Sequence, residues 1–468
     1  MSFFNGKIYI ILFAFIILSA CATYYTKSLK FQEYLTSGQL EKAEKLLESD
    51  KKAETSKNKL LHYFNRGYLT WLLGKHEESN IYFTKAEYVI EDQIKNYGQE
   101  ALALLTNPSI KPYKAEDFEA VLLNFFMAMN YLKLNNYEDA IVECRRINIK
   151  LNRLNDRYDD NKNKYQNDAF AHLMMGLIYD ADKDYNDAFI AYRNAYEVYK
   201  SDYVTNFNQK IPEQLKYDIL RTAYKTGFYD KVRFYEEEFN IEYKHKAKSD
   251  GEVVFFWLNG FGPVKSEWSI NFTNIPGSGG WVTLVNEEYG LNFPFYIGNK
   301  SSSEKNAFQQ LRFLRVAFPK YIQREPVYKS AIISTRNGKY ELELAENINE
   351  IAYKTLNDRM LREMGNSLLR LATKKAIENA ASNQDATLGT IVSITNALTE
   401  KADTRNWQSL PYSISYARVP VDAGENNIKL ITRSNNADSR TNEFTFNIEE
   451  GKTYFQYFHT LDSYPPGF

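Results

Sequence analysis

Closely spaced carboxylates stand in the run Pro112-Tyr-Lys-Ala-Glu116-Asp117-Phe-Glu119, which leads straight into a helical pattern. Such a group suits proton transfer, and it equally suits a helix N-terminus, where each negative charge gains about 0.3–1 kcal/mol against the macrodipole. Capping is the expectation. A second cluster, Val142-Glu143-Cys144-Arg145-Arg146, puts Glu143 and Arg146 on one helix face. It would clamp a ligand or brace neighbouring helices, and bracing is expected. Cys144 occupies a packing position, which predicts a buried and inert thiol. Asn259-Gly-Phe-Gly262-Pro263-Val-Lys265 has glycines and a lysine without the spacing or terminal Ser/Thr of a phosphate loop, so it reads as a strand-to-strand turn with close backbone approach. In Asp403-Thr-Arg405-Asn-Trp407-Gln-Ser-Leu410-Pro411 the Asp-Arg pair beside Trp407 suits a locked helix-to-strand junction, with Arg405 able to stack on an aromatic face; a binding role is the alternative. His62, His76, His172, His245 and His459 form no ligand spacing, and no zinc site or Ser-His-Asp constellation can be assembled. Neither an enzyme nor a metal or cofactor is expected.

Cys21 carries the one covalent chemistry that the residues assign. It closes Leu18-Ser19-Ala20-Cys21 after an apolar run from Ile8 to Ala20 flanked by Lys7. The run is shorter than the ~20 residues needed to span a hydrocarbon core and fits a signal-peptide h-region. Ser19 and Ala20 are small enough for a peptidase subsite. The pattern resembles the lipobox of bacterial lipoproteins, in which the thiol takes a diacylglyceryl group before cleavage and the freed amine is acylated. Residues 1–20 are then a signal peptide and 21–28 a tether, and more than one acyl chain supplies stable anchoring. Ala22-Thr-Tyr-Tyr-Thr-Lys27 contains no acidic retention signal. By resemblance to known sorting patterns, the expected address is the periplasmic leaflet of the outer membrane.

Composition narrows the partners. The formal net charge is −1, which carries no global signature for nucleic acid or an anionic membrane. Once Cys21 is lipidated Cys144 has no thiol to pair with, so stability must come from packing, for which 36 Tyr and 30 Phe provide large buried areas.

The elements that position these residues fall into two classes. Residues 29–240 read as helical pairs of tetratricopeptide (TPR) type. The clearest runs Gly176, Tyr179, Tyr185, Ala188, Tyr192 and Ala195; a second has Ala128, Tyr131, Tyr137 and Ala140; a third has Tyr63, Gly67, Gly74, Ser79, Phe83 and Ala86. Leu29 to Leu47, with Gly38 at the turn and Ala43 after it, makes a degenerate first pair. Gly67, Ala128 and Gly176 lie farther apart than a ~34-residue period allows, so inserts at Glu91–Asp117 and Asn152–Lys164 make the array irregular. If the TPR register holds, Phe64, Tyr68, Trp71, Phe125, Met129, Leu132, Phe170, Leu173 and Leu177 face an apolar groove suited to a partner helix or extended peptide. The alternative is that the inserts and the following domain bury them.

Residues 241–251 read as a basic linker, after which the period becomes strand-like. Strands are expected at Glu252–Leu258, Glu267–Thr273, Trp281–Val285, Tyr328–Ser334, Tyr340–Leu344, Tyr412–Val419, Asn427–Arg433, Glu443–Ile448 and Thr453–His459, the last four forming a meander or half sandwich. Ile348, Ala352, Leu356, Met360, Met364, Leu368 and Leu371 form one stripe of a long helix, and Gly389 to Ala402 a second, within an insertion at about 347–402. The fold class is α+β: an irregular TPR-like helical domain followed by a β-rich domain, 252–468, interrupted by two helices.

Taken in order, the Cys21 motif, Pro112-Tyr113 with Asp117-Phe118-Glu119, Ala128-x-Asn130-Tyr131-Leu132, Val142-Glu143-x-Arg145-Arg146, Gly262-Pro263-Val264-Lys265, Ala317-x-Pro319 and Asp403-x-Arg405-x-Trp407-x-x-Leu410-Pro411 resemble a functionally uncharacterised family of bacterial TPR-containing lipoproteins. The resemblance implies an envelope lipoprotein and transfers no catalytic residue; in some genomes similar proteins accompany lipoprotein activators of cell-wall synthases. The expected function is a non-enzymatic scaffold for an envelope protein partner. The alternative is a cell-wall or carbohydrate binding module, possible ligand peptidoglycan, with Trp257, Trp268 or Trp281 exposed on the β-rich domain.

Overall fold

The computed structural model describes residues 26–95, 111–156, 164–245, 250–302, 305–306, 308, 313–360, 364–365, 368, 402–435 and 439–467. Helix α1 covers 26–36 and pairs with α2 (Leu40–Glu48). Further pairs follow: α3 (Lys59–Leu72) with α4 (His76–Lys95), α5 (Asp117–Lys133) with α6 (Tyr137–Asn155), α7 (Ala169–Ala181) with α8 (Tyr185–Val198), and α9 (Glu213–Lys225) with α10 (Tyr229–Phe239). Short polar residues start several of them: Asn136, Asp168 and Asp184 accept from the backbone N–H of Asp139, Ala171 and Asp187, satisfying donors that the first turn leaves open. Close approach explains the small residues. A Cβ on Gly67 would sit 2.7 Å from the Phe83 ring, and one on Gly176 would collide with Tyr192. Each glycine lets the aromatic ring of the second helix lie on the backbone of the first.

The chain turns to strands at Gly251, in the order β1 (Gly251–Asn259), β2 (Val264–Pro276), β3 (Trp281–Asn286), β4 (Leu291–Tyr296), β5 (Phe313–Ile322), β6 (Tyr328–Thr335), β7 (Gly338–Glu341), β8 (Glu343–Glu346), β9 (Ser413–Val421), β10 (Gly424–Ser434), β11 (Ser439–Ile448) and β12 (Thr453–Thr460). They make three four-stranded sheets, ordered β12-β1-β9-β8, β11-β10-β6-β7 and β4-β3-β2-β5. β4 and β5 fall outside the expected runs, and the single strand expected at Tyr340–Leu344 is split into β7 and β8. The four C-terminal strands do not form one meander: β9 and β12 flank β1, the latter in parallel, while β10 and β11 belong to the second sheet.

β1 is buried on both faces. Val253, Phe255 and Trp257 pack with Ala417, Val419, Ile428 and Leu430 in the core between the first two sheets. Val254, Phe256 and Leu258 point the other way and join the core of the helical layer. The architecture is therefore α+β in three layers: helices, the β1 sheet, and the β10 sheet. Helix α11 covers 348–360, with helical residues 364, 365 and 368 after it, and its C-terminal end lies on the third sheet. Ile348, Ala352 and Leu356 of its stripe join the helical core, whereas Met360, Met364 and Leu368 pack on Ile270, Phe272 and Phe318. Leu371 and most of the second expected helix lie outside the described residues.

Candidate functional site

The nine residues expected to face a groove do come together on one side of α3, α5 and α7, and they are covered. Phe64, Tyr68, Trp71, Phe125, Met129, Leu132, Phe170, Leu173 and Leu177 are each at most 4% exposed. An open groove along this stripe is thus corrected: its occupant is the chain's own β-rich half. Trp407 stacks on Phe64 with centroids 4.2 Å apart, Tyr457 stacks on Trp71 at 4.2 Å, and Phe256 meets Phe170 edge-on at 6.0 Å. Tyr68 O–H donates to His459 Nδ1, whose Nε2 donates to the Gly260 carbonyl at 2.7 Å. Burial holds the His459 imidazole down to about 4, so it is neutral there.

The carboxylates that could have been catalytic lie at the N-terminus of α5 and are wholly engaged. Glu116 and Glu119 form a capping box: the Glu116 backbone N–H donates to Glu119 Oε2 at 3.0 Å. Glu119 also accepts from Tyr113 O–H and, at 2.6 Å, from the Trp407 backbone N–H. Glu116 is paired with Lys265 and, at 2.5 Å, with Arg359. Burial and then the neighbouring Glu116 charge push the Glu119 carboxyl up to about 7. Burial also opposes charge on Glu116, but Arg359 and Lys265 outweigh it and hold that carboxyl below its ordinary value. The two glutamates of the cap are thus driven in opposite directions, Glu119 by burial and the Glu116 charge and Glu116 by its cations. The motif residues from both halves meet here, since Asp403 binds Arg405 at 2.6 Å, and Arg405 reaches Asn58 Oδ1 at 2.8 Å and covers the Tyr113 ring at 5.5 Å. The 259–265 turn joins β1 to β2, with Asn406 bonded to its Pro263 carbonyl at 2.9 Å.

A second buried charge cluster had no sequence signal. Arg418 on β9 is bidentate to Glu252 at 2.6 and 2.7 Å and reaches Asp180 at 2.6 Å and Asp218 at 3.0 Å, while Arg221 binds the same two aspartates. Glu143 and its neighbours brace helices: Glu143 pairs with Arg146 at 2.7 Å and accepts from Asn124 at 2.7 Å, and Arg145 donates to Tyr179 O–H. Cys144 is buried, and burial pushes its thiol up, away from nucleophilic form. Among the described residues no group of His, Cys, Asp and Glu could hold a metal ion, and no helix is long and apolar enough to cross a membrane.

What the surface offers lies elsewhere. Trp257 is buried, donating to Thr460 Oγ1 at 3.0 Å, and Trp268 is half-buried against Tyr289. Both are corrected as exposed aromatics. Trp281 alone of the three is open, 48% exposed beside Tyr296, with ring centroids 5.2 Å apart on the outer face of the third sheet. One cleft of about 590 Å³ lies between the α1–α2 turn and β12, bordered by Gly38, Trp71, Phe444 and Phe458. Another, of about 540 Å³, opens between α8 and α10. Its Phe228-Tyr229 pair, following Gly227 at a helix start, is the signal that reading of the sequence missed: large apolar side chains where a polar cap is usual. Cys21, residues 96–110 and residues 157–163 lie outside the described residues.

No protein-family model matches the chain, and no curated protein matches it. Among solved structures, the apo form of RapI is similar over 46% of this chain and 52% of its own length, at 15% identity and a TM-score of 0.33. BtubC from P. vanneervenii is similar over 49% of this chain and 85% of its own, at 14% identity and a TM-score of 0.31. The chain thus spans about half the length of RapI.

Proposed function

We propose that the protein is a non-enzymatic scaffold of a bacterial cell envelope, held in a membrane leaflet by lipid on Cys21, with the outer membrane facing the periplasm as its site. The observation that carries the scaffold reading is the filled inner face of the helical pairs. A continuous core runs from α1 to β12, so the two halves form one stiff body that presents its outer faces to a partner. The Leu18-Ser19-Ala20-Cys21 motif supports the anchor, and α1 begins only a few residues beyond it, keeping that body close to the leaflet. Photo-crosslinking in cells from outward positions such as Tyr88, combined with membrane fractionation of Cys21→Ser, tests both parts. A discrete crosslinked protein and release of the variant from membranes are expected; unchanged membrane association or no crosslinked species defeats the reading.

A second reading rests on Trp281 and Tyr296. Two exposed rings on a sheet face that also carries Ser269, Asn271, Thr283 and Asn292 suit stacking on sugar rings with hydroxyl contacts alongside. The full chain should then be retained on purified peptidoglycan and lose retention with Trp281→Ala. Equal retention of both proteins removes this reading.

A further inference from the structure

The cleft between α8 and α10 is lined by Phe189, Ile190 and Arg193 on one side and by Phe228, Tyr229 and Lys231 on the other. Repeat arrays normally close their terminal pair with a polar face. Here the last pair leaves Phe228 40%, Tyr229 57% and Phe234 55% exposed, and Ile190 of α8 is open beside them. Charge is also uneven. Asp230 is taken up by Arg233 at 2.5 Å, and Lys231 lies over the Phe234 ring at 5.8 Å. Among the described residues neither Arg193 nor Lys231 makes an ion pair, and Glu197, one turn beyond Arg193, is unpaired as well. The cleft wall therefore sets apolar side chains beside two cations that make no ion pair among the described residues, while its one carboxylate, Asp230, is already paired with Arg233, and its volume is that of a site for a few side chains.

We propose that this cleft docks a peptide segment of the protein partner in which an aliphatic or aromatic side chain stands next to a carboxylate. The apolar side chain enters between Phe189 and Tyr229, and the carboxylate meets Arg193 and Lys231. Charge complementarity selects this occupant, since of the charged residues lining the cleft the carboxylate Asp230 is already paired and the two cations are the ones open to an ion pair. The inference rests on the scaffold reading and names the face it uses.

The test is calorimetric titration of the full mature chain carrying Cys21→Ser with three capped tetrapeptides, Glu-Leu-Phe-Glu, Gln-Leu-Phe-Gln and Lys-Leu-Phe-Lys. The acidic peptide should bind roughly fivefold more tightly than the neutral one, as two rim ion pairs allow, and the basic peptide most weakly. Arg193→Glu with Lys231→Glu should reverse that order, and raised salt should erase it; circular dichroism melts confirm that these exposed changes leave the fold intact. Equal affinities, or no binding at concentrations on the order of 1 mM, overturn the proposal. So does self-association in sedimentation equilibrium that the charge reversal abolishes, because the occupant is then a second copy. Crosslinking that succeeds in cells while the peptides fail removes this cleft and leaves the scaffold reading standing.

Discussion

Trp407 lies on Phe64 with ring planes 9° from parallel and centroids 4.2 Å apart, although the two are separated by most of the chain. Phe83 and Phe126 close around the same indole at 5.9 and 5.8 Å. A residue from the irregular segment before β9 therefore fills the space between α3, α4 and α5, and its backbone is pinned to Glu119 in the same place.

Removing that indole should leave a cavity that the surrounding aromatics cannot close. Trp407→Ala is expected to cost about 3–5 kcal/mol in urea unfolding, and Phe64→Ala a similar amount. A double-mutant cycle between them should return a coupling of about 0.5–1.5 kcal/mol for the stacked pair. Additive costs would mean the rings are neighbours without being partners.

Glu119 should reveal its environment through Glu119→Gln. Three donors converge on this carboxyl, from Tyr113, Glu116 and Trp407. An amide turns one side into a donor, leaving at least one buried N–H or O–H opposed, at about 1–3 kcal/mol. The pH sign follows from a folded value raised to about 7 against an ordinary 4.5. The fold holds a proton that the unfolded chain releases, so the wild-type advantage is full below 4.5 and fades as pH rises through 7. Urea midpoints of both proteins across pH 4.5–8 check this; a constant difference would place the Glu119 proton elsewhere.

His459 predicts the opposite slope. Its folded value of about 4 lies below the ordinary 6.5, so between these the unfolded chain takes up a proton that the fold refuses. Stability is full above 6.5 and falls as pH drops toward 4, by up to about 3 kcal/mol. His459→Gln keeps an acceptor for Tyr68 and a donor for the Gly260 carbonyl without a titrating group. It should flatten the acid side of the stability curve; an unaltered slope would assign it to other groups.

Much of this arrangement was legible residue by residue, and the rest depends on pairings that spacing cannot carry. Glu252–Leu258 reads as a strand, and its unbroken apolar run fits a strand buried on both faces, as β1 is. The stripe Phe64, Tyr68, Trp71 correctly marks the inner face of α3, yet the residues that cover it, Trp407 and Tyr457, come more than three hundred positions later. Helix periodicity says which way a side chain points and is silent on what meets it. Glu116 and Glu119 are recognisable as a cap, whereas Lys265 and Arg359 as their counter-charges are not, because each contributes a lone cation from another element. Trp257 and Trp281 look alike in sequence; strand position separates them, one central in a sandwiched sheet and the other at the start of β3 on an outer face.

Arg418 gives the last prediction and the sharpest one for the junction of the two halves. Its guanidinium serves Glu252 on β1 and Asp180 and Asp218 on α7 and α9, and it is only 8% exposed. Burial opposes the charge on Asp180 and Glu252, and Arg418 is the largest force holding both carboxyls below their ordinary values. Arg418→Met should therefore cost about 3–5 kcal/mol at neutral pH, because it leaves Asp180 and Asp218 with Arg221 as their remaining ion-pair partner and removes the guanidinium fork from Glu252. Without the guanidinium, burial raises the Glu252 carboxyl, so the variant gains on acidification where the wild type loses, and the deficit should shrink as pH falls toward 4. Arg418→Lys should recover only part of the loss, since a single ammonium cannot present a fork to Glu252 while reaching two aspartates. Urea unfolding at pH 4, 5.5 and 7 measures all three proteins. A deficit independent of pH would make Arg418 a packing residue whose charge contributes nothing to the junction.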